Sequence, residues 1–137
     1  MICARGGESR RTGFIHQNLS GRHVADNWIA AHLHLAEGYV SRAYCIKPAD
    51  FYLSTRGRAH VAEARQLLMY LAHIEIGLST AEVAGRYGRD RTTVTYAVRA
   101  IEERREDPGF DALVCQIESL ISLRFDPVFL QIARCVQ

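Results

Sequence analysis

The stretch "LSTAEVAGRYGRDRTTVTYAVRAIEERR", residues 78–105, constrains the fold of this chain more than any other. Ser79 followed by Glu82 is a capping box: the Ser79 hydroxyl accepts from the Glu82 amide, and the Glu82 side chain reaches back to the Ser79 amide. It predicts a short helix from Thr80 to Tyr87, ended by Gly88 in a left-handed conformation. Asp90 is placed to cap a second helix running to about Glu106, with Val94, Ala97, Val98 and Ile101 repeating at three and four residues along one inward stripe. Two helices are therefore held close together by a turn of about three residues.

A short and a long helix joined in this way form a helix-turn-helix outline, which helical bundles that never meet DNA also contain. The first turn of the second helix carries the more specific signal. Arg91, Thr92, Thr93 and Tyr96 lie off the apolar stripe and all bear hydrogen-bonding groups. Arginine suits guanine edges and phosphates, while a threonine methyl packs on the thymine methyl. A solvated helix end would also be polar, but a cation at the positive end of a helix dipole is unfavourable unless an anion meets it.

The rest of the chain arranges itself around this pair. Residues 1–23 are rich in Gly, Ser and Arg without periodicity and predict a flexible basic arm. A first helix is expected from Asp26 to about Ala43 through Ile29, Leu33, Ala36 and Val40, with Gly38 weakening its middle. In "CIKPADFYLS" Pro48 suits the first turn of a short helix, and the basic loop "STRGRAH" follows. A longer helix is expected from Val61 to Ile76, apolar at Ala64, Leu67, Leu68, Leu71 and Ala72, and stopped by Gly77. Residues 24–125 then form one domain, and 126–137 a further helix capped by Asp126 with Pro127 in its first turn. Its stripe of Val128, Phe129, Ile132, Ala133 and Val136 needs a cover. That cover is either the chain's own first helix near Trp28 and Ile29, or the same helix of a second copy in a homodimer.

Composition narrows the chemistry. The 137 residues are 48% hydrophobic and carry a net charge of only +2, which describes one globular domain. Along the chain the charge is uneven: residues 54–99 hold seven Arg against four acids, +3, whereas residues 101–137 hold four Arg against seven acids, −3. The middle segment is where a polyanion would bind. The single Lys, Lys47, precedes a proline, so no Walker phosphate loop and no nucleotide is expected. Cys3, Cys45, Cys115 and Cys135 are too widely spaced for a CxxC pair, and His32 and His34 would face opposite sides of a helix; no metal or other cofactor is expected. No apolar run approaches the ~20 residues of a membrane span, and "MICARGGESRRTGF" lacks the apolar core of a signal peptide. A cytoplasmic protein at the bacterial nucleoid is the expectation. No paired carboxylates or nucleophile constellation points to an enzyme.

The run "ARQLLMYLAHIEIGLSTAEVAGRYGRDRTTVTYAVRAIEE", with "YCIKPADFYLS" upstream, resembles the C-terminal DNA-binding domain of the bacterial replication initiator DnaA over roughly residues 36–123. The resemblance implies an all-α helical bundle of the Trp-repressor-like kind, with the helix beginning near Asp90 in the major groove. It implies base reading by Asp90, Arg91 and Thr92, phosphate contacts near Thr93 and Tyr96, a basic contact at Arg65, and backbone contacts at Thr80 and Ala81. The loop from Arg56 to Arg58 matches one that enters the minor groove.

The departures are specific. Arg91 stands where the initiator usually has His, the turn "YGRD" is one glycine shorter, Gly57 aligns with the minor-groove arginine beside Arg56 and Arg58, and Glu63 occupies a place that is often basic. They predict a recognition sequence other than the initiator's own, on the same kind of duplex. The initiator's ATPase module would need several hundred residues ahead of this domain, so a stand-alone reader is expected. Its expected function is sequence-specific binding of double-stranded DNA, as a transcriptional regulator or a modulator of replication initiation. The rival expectation is a protein-interaction module that kept the fold and lost DNA binding, for which Glu63, Gly57 and the acidic segment after Ile101 speak.

Overall fold

The computed structural model describes residues 21–54, 57–122, 131, 134 and 135, with side chains from Asp26 onward. Residues 1–20 of the arm expected over 1–23, Arg56, and the expected C-terminal helix cap at Asp126 with its stripe of Val128, Phe129, Ile132, Ala133 and Val136 lie outside the described residues, whereas residues 21–23, expected in the arm, belong to the first helix. Among the described residues, five α-helices and one 3-10 turn are continuous elements, and there is no strand. The all-α expectation holds.

Helix α1 spans Gly21–Tyr44. It starts five residues before Asp26, which is an interior residue and not the cap that the sequence predicts. No proline interrupts the run from Gly21 to Tyr44, and the helix passes through Gly38 unbroken. His32, Leu33, Ala36, Glu37, Val40 and Ser41 form its buried face. Cys45, at φ 54°, takes the left-handed position that ends it, and the Ile46 amide closes back on the Ser41 carbonyl at 3.0 Å.

The 3-10 turn Pro48–Tyr52 follows. The Lys47 amide donates to Asp50 Oδ2 at 3.2 Å, and Phe51 is wholly buried. Helix α2, Ala59–Ile74, begins and ends two residues before the predicted bounds. It is the centre of the fold: Val61, Ala64, Arg65 and every residue from Leu67 to Ala72 are buried. Burial on nearly all sides is what a central helix shows, in contrast to a one-sided surface helix. Gly77, at φ 88°, turns the chain after it.

Helix α3 spans Thr80–Tyr87, as predicted. The Glu82 amide donates to Ser79 Oγ at 3.1 Å, without the return bond from the Glu82 side chain. Gly88 takes φ 61°, where a side chain would be strained. Helix α4, Arg91–Arg104, ends two residues before the predicted Glu106 and buries Val94, Ala97 and Ile101. Helix α5, Pro108–Ile121, is new relative to the sequence reading; the Phe110 amide donates to Asp107 Oδ2 at 2.9 Å, and Val114, Ile117 and Ile121 face the core.

Helix α2 packs chiefly on α4 and α1, α3 lies on α4, and α5 closes against α1. One apolar cluster joins all five helices. Among the described residues no helix is long and apolar enough to cross a membrane.

Candidate nucleic-acid interface

With its apolar stripe turned into the core, α4 presents its first turn outward. Asp90, Arg91, Thr92 and Thr93 are exposed, and Tyr96 is 67% exposed. Asp90 holds the N-cap position, but its carboxylate makes no capping hydrogen bond. The acceptor that the sequence assigns to the helix is thus not used by it. Arg91, Thr92, Thr95, Tyr96 and Arg99 border one shallow hollow. Arg99 is an addition to the residues expected from the sequence, and its place three residues after Tyr96 and seven after Thr92 sets it on the same face.

A second groove runs between α2 and α4, bordered by Arg65, Gln66, Arg89, Thr93 and Tyr96. Arg65 is 4% exposed. Its Nε donates to the Phe51 carbonyl at 3.3 Å and its Nη2 to the Asp50 carbonyl at 3.0 Å. Burial and the neighbouring Arg89 charge lower its pKa. The guanidinium that the resemblance assigns to DNA is therefore also a brace for the chain ahead of α2. Arg89, in the turn before α4, donates from Nη2 to the Leu53 carbonyl at 2.9 Å and from Nη1 to the Ser54 carbonyl at 3.3 Å.

Arg58 is exposed at the N-cap of α2, next to Gly57 at φ 75°. Lys47, Arg58 and His60 border one cleft beside it. Thr80 and Ala81 are half-buried in the first turn of α3. The fold thus brings α4, the groove beside it and the turn before it together, with Arg58 at the far end of the braced segment.

Behind this surface sits a polar knot. Glu37 of α1, 2% exposed, accepts from Tyr52 Oη, from Tyr87 Oη at 2.9 Å and from Arg86 Nη2 at 3.2 Å. Arg86 Nη2 also reaches Tyr52 Oη at 3.1 Å. His34 Nδ1 lies 3.2 Å from the other carboxylate oxygen. Burial, then the Glu37 hydrogen bond and charge, push the Tyr52 phenol up to about 12; burial and the Glu37 charge raise Tyr87 as well. Burial works against the charge on Arg86, but Tyr87, Tyr52 and Glu37 outweigh it and raise its pKa. One carboxylate thereby ties α1 and the 3-10 turn to α3.

Two acids of the C-terminal half, Asp111 and Glu118, share one partner. Arg105 Nε meets Asp111 at 2.6 Å and its Nη1 meets Glu118 at 2.6 Å, with Tyr70 Oη at 3.0 Å. Arg104 lies 4.0 Å over the Phe110 ring and 3.9 Å from Glu63. Among the described residues no group of His, Cys, Asp and Glu is arranged to hold a metal ion, while Cys45 and Cys115 are exposed free thiols.

A capped short helix, a left-handed glycine turn and a second helix with an exposed polar first turn define a helix-turn-helix domain. Residues 37–101 match the family model of the bacterial DnaA protein helix-turn-helix. The chain is similar to chromosomal replication initiator proteins DnaA from Rhodopseudomonas palustris strain TIE-1, Bradyrhizobium sp. strain BTAi1 and Nitrobacter hamburgensis. Each is 45% identical over 64 residues, 46% of this chain. The chain spans about 13% of the length of these relatives, and α5 lies beyond the matched family segment.

Proposed function

We propose that this domain binds double-stranded DNA with α4 in the major groove. Asp90, Arg91 and Thr92 read base edges; Thr93, Tyr96 and Arg99 follow the phosphates alongside them. Thr80 and Ala81 meet the backbone at the start of α3. Arg56 and Arg58 reach the adjacent minor groove, and Arg65 contributes positive charge from the groove behind α4. The observation that carries this reading is the exposed first turn of α4, in which the capping carboxylate of Asp90 is unused by the helix it caps. Phosphates would also satisfy Arg91 at the positive end of the dipole.

The family match supports the choice of ligand, and the relatives' role as chromosomal replication initiators supports sites near origins or promoters. A transcriptional regulator and a modulator that competes with an initiator for its sites need the same surface. They differ in whether the protein displaces the initiator from its own duplex sites. Of the acids that would favour a purely protein-binding module, Asp111 and Glu118 are engaged by Arg105 and Glu63 lies near Arg104, whereas Glu102, Glu103 and Glu106 are exposed.

Selection from a pool of random duplexes tests the reading. Enrichment of a short motif is the expected result. A pool that stays random after several rounds would remove sequence-specific binding.

A further inference from the structure

Two guanidinium groups grip the chain ahead of α2. Arg65, from α2, holds the carbonyls of Asp50 and Phe51. Arg89, from the turn between α3 and α4, holds those of Leu53 and Ser54. The 3-10 turn ends at Tyr52, so the Leu53 and Ser54 carbonyls gain from Arg89 the donors that a regular element would otherwise supply. Arg89 and Leu53 are 36 residues apart in sequence. The turn that aims α4 is thus bonded directly to the segment that leads to Arg58.

We infer that Arg89 is a positioning residue: it fixes the distance between the base-reading turn of α4 and the segment carrying Arg58, so that the two engage one duplex at a set spacing. The inference rests on the DNA-binding reading above and deepens it. An arginine suits the task because its planar fork presents two donors in fixed relation, whereas a lysine ammonium offers a single point charge. The preorganised spacing removes an ordering cost that a loose segment would otherwise meet on binding. Arg89 borders the groove beside α4, so a direct contact to phosphate is the rival role. The two roles predict different couplings.

The test combines hydrogen exchange with a double-mutant cycle on the full chain. In Arg89→Ala the amides of Leu53, Ser54, Gly57 and Arg58 are expected to exchange faster while those in the middle of α2 stay protected. On a selected duplex, Arg89→Ala is expected to weaken binding roughly tenfold, and to weaken Arg58→Ala further by less than about threefold, the signature of two groups acting through one another. Arg89→Lys, which keeps the charge and loses the fork, is expected to follow Arg89→Ala. Additive losses, unchanged exchange, or full affinity in Arg89→Lys would each overturn the inference while leaving DNA binding intact. Absence of duplex binding by the unaltered chain would overturn the DNA-binding reading, and this inference with it.

Discussion

Glu37 is the residue on which the polar interior converges, and its partners lie 15, 49 and 50 residues away at Tyr52, Arg86 and Tyr87. No periodicity or spacing rule connects positions so far apart, which is why the sequence read α1 as an apolar stripe and left this carboxylate unremarked. Arg65 illustrates a similar limit: the resemblance implies a basic contact there, and only the fold reveals the two carbonyls that it braces. Replacing Glu37 by Gln leaves Arg86 without its counter-ion and mismatches a buried acceptor, and is expected to lower stability by about 2–4 kcal/mol in urea unfolding. An unchanged midpoint would show the knot to be dispensable. The phenols make a separate prediction. Tyr52 has a folded pKa near 12, above the unfolded value of about 10. Its contribution is therefore complete below the unfolded pKa and is lost as pH climbs through the interval between the two values. Thermal midpoints should be level to about pH 9.5 and fall beyond it, with a shallower fall in Tyr52→Phe.

At the scale of elements, α3 and the turn into α4 were legible because Ser79 caps the one helix and Gly88 takes the left-handed conformation that separates the two, while Asp90 marks the start of α4 by position, without a capping bond. Helix α5 carried the same class of signal, an aspartate cap followed by proline at Asp107 and Pro108, that the sequence reading used at Asp126 and Pro127. Acidic residues between Glu102 and Glu118 interleave with its apolar stripe at Phe110, Val114, Ile117 and Ile121 and mask the helical period. Arg105 links α5 to the end of α4, held by Asp111, Glu118 and Tyr70, which raise its pKa against the cost of its burial. Arg105→Ala leaves both carboxylates without their cation, in part exposed to solvent, and is expected to cost about 1–3 kcal/mol of unfolding free energy. A loss below a few tenths would show that solvent screens the cluster. In α1, a Cβ added at Gly38 meets nothing within 4 Å. Gly38→Ala should therefore stabilise the domain by about 0.5–1 kcal/mol through helix propensity alone. It should leave DNA affinity unchanged; a lowered midpoint would mean that the glycine serves a contact beyond the described residues.

Across the whole molecule, charge and architecture point the same way. Positive residues gather between 54 and 99, which include α2, the turn at Gly88 and the exposed face of α4, while two of the acids after Ile101, Asp111 and Glu118, are paired with Arg105. The helices behind α4 hold its first turn in place and leave that turn to solvent. The central claim is that this turn reads duplex DNA, and one binding series tests it most directly. Fluorescence anisotropy of a selected duplex and of a scrambled one is measured over a range of salt, for the unaltered chain and for Arg91→Ala. The account predicts salt-dependent binding to both duplexes, tighter on the selected one, with Arg91→Ala losing about 1–3 kcal/mol on the selected duplex and much less on the scrambled one. Equal losses on the two duplexes, or binding that salt does not weaken, would contradict it.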